Sequence, residues 1–166
     1  MTNSLSTICQ TDQASPITLR TFSSLKQFDE TIADFEKQLG KLDQVHALKA
    51  SNMQTAVKSM EGELGLMIIH VLEMGDLLSS FVESHTRARQ YLVGNPIIAS
   101  LMAKLDPLAA LYAPPRVLIY STDGGTSISY DQPSSVFGRL NGEEILDIAR
   151  DLDQKFETLV MCALRK

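Results

Sequence analysis

Tryptophan is absent from this 166-residue chain, and cysteine and histidine are scarce, at two and three residues. Cys9 and Cys162 are too few for a disulfide framework or a zinc site. His46, His70 and His85 lack metal-ligand spacing, which disfavours a metal centre. Basic charge is also short: 15 Lys and Arg stand against 20 Asp and Glu, for a net charge of −5. With no basic stripe to follow a phosphate backbone, nucleic acid is not an expected partner. Long apolar runs are missing too. The densest, residues 64–72, is interrupted by His70 and is too short to cross a bilayer. The opening "MTNSLSTICQTDQAS" lacks the basic start and apolar run of a signal peptide. A soluble, cytoplasmic protein without a cofactor is the expectation, and no membrane is expected as a partner.

What is present, a 44% hydrophobic composition, is enough for one core. The reading is a disordered tail over 1–15 and a single domain over 16–166. Alternation over "ITLRTFSS" predicts a strand at 17–24. Phe28, Ile32, Phe35, Leu39 and Leu42 then form one helical stripe, with Ser24 and Gln27 as a capping box. Residues 44–63 keep a weaker helical period that Ser51-Asn52 can break, and read as an insertion or flap. A buried strand is predicted at 64–73, a short helix through Leu77, Leu78 and Phe81, and a strand over "RQYLVGNP". Pro96 suits the first turn of a helix carrying Ile97, Ile98, Leu101 and Met102. Asp106-Pro107 restarts a short helical turn that runs to Tyr112.

"RVLIYSTDGGTSISYD" reads as a hairpin turning at Asp-Gly or Gly-Gly, with positive φ expected in the loop. Either register places Val117, Ile119, Ile128 and Tyr130 on one face and Leu118, Tyr120, Ser127 and Ser129 on the other. From Asn141, with Glu144 as its capping-box partner, Ile145, Ile148, Ala149, Leu152, Phe156, Leu159, Val160 and Ala163 form the stripe of a long C-terminal helix. The order of elements argues for an α+β fold, an antiparallel sheet with helices on one face.

Several polar residues are candidates for a site. His70 in its apolar strand is a possible general base, against the ordinary reading of a structural strand histidine. Asn95 in "GNP" either helps an anion-binding turn or satisfies its own backbone. Tyr91, Arg116, Tyr120, Tyr130 and Asp131 sit at strand positions or strand ends. Arg116 and Asp131 flank the hairpin and make either a structural ion pair or a pocket in which arginine holds a carboxylate. His70, Glu73, Tyr130 and Asp131 are then the proton-transfer candidates. Ser134-Ser135 lacks a nucleophile elbow.

The order and spacing of "FDETI", "YLVGNP", "LYAPPRVLIY", the Asp-Gly turn and "SYDQP" resemble the domain-of-unknown-function family number 302, over about residues 17–40 and 64–160. The resemblance implies a small α+β fold like the TATA-binding-protein arrangement, and dimers, but no reaction. Where many members carry Asp-His after the second strand, this chain has Glu73-Met74; where many have Arg-His, it has Arg139-Leu140. The segment 44–63 is longer than the family usually allows.

Three functions follow as expectations. The first is a homodimeric binding module for a small apolar or anionic molecule, with Met60, Met67 and Ile128 walling a mostly apolar pocket. Its polar end would hold Tyr91, Arg116, Tyr130 or Asp131. The second is a metal-independent acid–base enzyme, and the third a structural dimer meeting through Leu118 and Tyr120.

Overall fold

Alternation in the hairpin carries through to an entire sheet. A computed structural model describes residues 10–81, 86–140 and 142–166; Cys9, His85 and Asn141, and hence the Asn141 capping box, lie outside the described residues. In chain order the elements are β1 (Leu19–Ser24), α1 (Phe28–Lys37), β2 (Gly40–Lys41), α2 (Gln44–Lys49), α3 (Met53–Lys58), β3 (Met67–Leu72) and α4 (Met74–Ser79). They continue with β4 (Ala88–Gly94), α5 (Pro96–Leu105), α6 (Ala109–Tyr112), β5 (Arg116–Thr122), β6 (Gly125–Asp131), α7 (Pro133–Phe137) and α8 (Glu143–Leu164). The six strands run β1-β6-β5-β4-β3-β2, antiparallel except for the short β2–β3 pair.

One face carries Tyr91, Val93, Val117, Ile119, Ile128 and Tyr130, all buried, under α1 and α8. Helix α8 is 22 residues long, about 33 Å at the α-helical rise, enough to cross the sheet. Its predicted stripe is buried throughout except for half-buried Ile148. On the other face, Thr21 pairs its hydroxyl with Ser129 and Ser23 with Ser127, each at 2.8 Å. Leu92, Leu118 and Tyr120 are half-exposed beside them. Met67 alternates away from its core neighbour Ile68 and joins a smaller cluster with Ala47 and Val57 of α2 and α3.

Four local expectations differ from the structure. Helix α1 stops at Lys37, so Leu39 and Leu42 lie beyond it. The chain must turn there into β2, where a Cβ on Gly40 would meet the Met60 carbonyl oxygen at 1.6 Å. The Ser24–Gln27 capping box does not form; Ser24 Oγ instead donates to the Leu164 carbonyl at 2.9 Å. The hairpin turns at Asp123-Gly124, one of the two expected positions, with Thr122 opposite Gly125, but neither glycine has the expected positive φ. Close packing explains Gly125, because a Cβ there would lie 2.0 Å from the Ser24 carbonyl oxygen. Residues 44–63 hold two short helices in place of one, split at Ser51-Asn52, with the Asn52 side chain accepting from the Thr55 N–H at 3.0 Å.

The C-terminus of α8 is anchored by a buried lysine. Lys26 Nζ donates to the carbonyls of Ala163 (2.9 Å) and Arg165 (2.8 Å) and pairs with Asp34. An ammonium group at these end carbonyls complements the helix dipole. The hydrogen bond from Lys26 holds the Asp34 carboxyl below its ordinary value of 3.8. A depressed carboxylate pKa contributes stability that is fully present above the unfolded value and lost as pH falls through the folded one. Asp34→Asn should therefore cost stability at neutral pH, with the gap to wild type closing as pH falls below 3.8. Denaturation curves across that range check this, and a gap constant with pH would contradict it.

Candidate functional site

Two clefts open on either side of the segment Ala113-Pro114-Pro115, which contributes to both. The first, about 240 Å³, is formed by Leu42 and Gln44 after β2, Ile69 of β3, Gly94, Asn95, Pro96, Ile98, Ala99 and Met102 around α5, and Leu152 and Phe156 of α8. Met102 and Phe156 are core residues, so the cleft reaches into the main core. Apart from Gln44 its only polar side chain is Asn95, and Asn95 is fully committed. Its oxygen accepts from the Ile97 N–H at 2.9 Å, capping α5, and its amide donates to Glu61 Oε1 (2.7 Å) and the Gly65 carbonyl (2.8 Å). Asn95 therefore satisfies the local backbone, as the simpler sequence reading has it. Exposed Gln44 keeps its amide uncommitted among the described residues.

The second cleft, about 340 Å³, brings together Arg116, Asp131 and Arg139 among Ile17, Leu92, Leu111, Tyr112, Pro133, Val136 and Phe137. Arg139 is half-buried, its guanidinium 4.1 Å from the Tyr112 ring centre and its Nε donating to the Val136 carbonyl at 3.0 Å. Arg116 and Asp131 are both exposed and make no ion pair with each other.

The other sequence candidates are dispersed. Tyr91 is enclosed in the core, where its hydroxyl donates to Glu36 Oε1 at 2.8 Å. Burial holds its pKa above the ordinary tyrosine range. Tyr130 is buried between Phe22 and Phe156, and burial pushes it up to about 12. Glu73 pairs with Arg89, whose Nε lies 2.6 Å from Glu73 Oε1. Burial opposes the charge on Arg89, but contacts with Tyr91 and Glu73 outweigh it and raise the pKa. His70 is exposed opposite Leu92, Tyr120 is half-exposed opposite Ser127, and His46 is exposed on α2. Of the four proton-transfer candidates, only Asp131 lines either cleft.

The expected pocket walls also move. Met67 and Ile128 are fully buried, and neither they nor Met60 line the cleft that α8 borders; Met102 does. Lys26 and the role of Arg139 escape sequence reasoning. Each acts through partners distant in sequence or through a backbone carbonyl, and no local spacing announces such contacts. Among the described residues, no three His, Cys, Asp or Glu converge on a possible metal position, and no helix is long and apolar enough to cross a membrane.

The fold is similar to that in the crystal structure of an uncharacterized conserved DUF302 protein from Bacillus stearothermophilus. The TM-score is 0.64 at 19% identity, covering 89% of this chain and 98% of that one. No curated protein matches the chain. A family profile described as "Domain of unknown function DUF302" matches residues 44–161, from the start of α2 to near the end of α8. That span takes in residues 44–63 and leaves β1 and α1 outside it. With most of its length matched, the chain belongs to the family of the domain of unknown function DUF302.

Proposed function

We propose that the chain is a cytoplasmic, homodimeric binding module whose first cleft takes a small, uncharged, apolar molecule. One observation carries this reading: the cleft reaches Met102 and Phe156 of the core, and its polar side chains are the committed Asn95 and the single free amide of Gln44. Apolar walls supply affinity, and one amide can fix orientation. A charged ligand would enter with no counter-ion to replace its water. At about 240 Å³ the space falls below the usual range for drug-sized ligands and suits a smaller molecule of one or two rings. The sheet face bearing Leu118 and Tyr120 supports the dimer, because these half-exposed side chains lie there beside the paired hydroxyls of β1 and β6. An acid–base enzyme draws less support, since His70, Glu73 and Tyr130 line neither cleft, and Tyr130 is buried in the core while its neighbour Asp131 is exposed on the other face of β6.

Calorimetric titration with indole, a small apolar probe, tests the cleft. Half-exposed Ala99 lines it from α5, and leucine is nearly as good a helix former as alanine. Ala99→Leu should therefore keep the melting temperature while weakening indole binding by about tenfold or more, the equivalent of losing one well-packed contact. Equal affinity in the variant would place the probe elsewhere and defeat the reading.

A further inference from the structure

We propose that the second cleft is a separate site for a small monocarboxylate with an apolar body, its charge met by Arg116 and Arg139. Arg139 is a half-buried cation, held in place by the Val136 carbonyl and the Tyr112 ring, and among the described residues no carboxylate lies within ion-pair distance of it. A guanidinium that has lost water without gaining a counter-ion is prepared for an arriving anion. Arg116, a second guanidinium on the same cleft, makes no ion pair among the described residues. The walls beside them, including Leu92, Leu111 and Phe137, are apolar.

Asp131 sets the ligand's charge. Two arginines and one aspartate leave the cleft at +1, which a monoanion neutralises and a dianion overshoots while facing the Asp131 carboxylate. A phosphate-type site would want free backbone N–H groups, yet the Ser134 N–H at the start of α7 already donates to Asp153 at 2.9 Å. The ligand is therefore a carboxylate whose organic part lies on the apolar wall. Arg116, Asp131 and Arg139 line the second cleft and not the first.

The test is a calorimetric titration of the full chain at low ionic strength with benzoate, with benzyl alcohol as its uncharged counterpart and with inorganic phosphate. Benzoate should bind saturably and more tightly than either. Arg116→Gln and Arg139→Gln should each weaken it by about tenfold, as expected for one lost charge-assisted contact. Asp131→Asn should tighten it by about threefold, because a like charge is removed. Arg116 is exposed, so its variant remains informative even if Arg139→Gln disturbs the Tyr112 packing. Ala99→Leu, which fills the other cleft, should leave benzoate affinity unchanged. Binding of benzyl alcohol as tight as benzoate, preference for phosphate, weakening by Asp131→Asn, or no saturable benzoate binding would each overturn the proposal.

Discussion

Phe156→Ala should destabilise the protein by about 3–5 kcal/mol, the range for removing a fully buried aromatic ring. Phe156 is buried and packs against Tyr130 with ring centres 5.5 Å apart. The α8 backbone holds that position against the sheet, so the vacated space can collapse only in part. Such a loss is a large share of a typical total of about 5–15 kcal/mol. Chemical denaturation should show the midpoint falling with the slope retained. Because Phe156 also walls the first cleft, the variant should bind indole less tightly even where it remains folded. A denaturation curve overlying the wild type would contradict the packing of α8 on the sheet.

Tyr120→Glu should convert a dimer into a monomer. The proposed two-fold interface sets the same patch of both copies against itself, so one substitution introduces a like charge on each side. Tyr120 is half-exposed, in register with Ser127 and Ala88, and lines neither cleft. Its replacement should therefore leave the fold intact. Light scattering should report the monomer mass while the circular dichroism spectrum stays native. An unchanged dimer mass would move the interface off this face, and a monomeric wild type would remove it.

The parts of the fold that a reader could take from the sequence are those with a period. Val117, Ile119, Ile128 and Tyr130 alternate with Leu118, Tyr120, Ser127 and Ser129, and all four are buried on the predicted face. The α8 stripe from Ile145 to Ala163 needs only the helical period to orient it. Strand β2 spans two residues, too few for any period, and depends on Gly40 fitting beneath the Met60 carbonyl. Lys26 looks like a surface residue by type, yet it is buried because the end of α8, 137 residues later, supplies the carbonyl of Ala163. The clefts were the least legible feature. Ile69, Met102, Pro114 and Phe156 come from four separate segments, and their meeting is set by tertiary packing. Arg116 and Asp131 were legible as neighbours, since they flank one hairpin. Arg139 joins them by way of α7 and Tyr112.

A crystal structure of the protein grown with indole tests the central claim most directly. The ring should lie in the first cleft against Met102 and Phe156, with Ile69 and Pro114 beside it and Asn95 still capping α5. A first cleft left empty, with indole bound only at the open sheet face or not at all, would contradict the account.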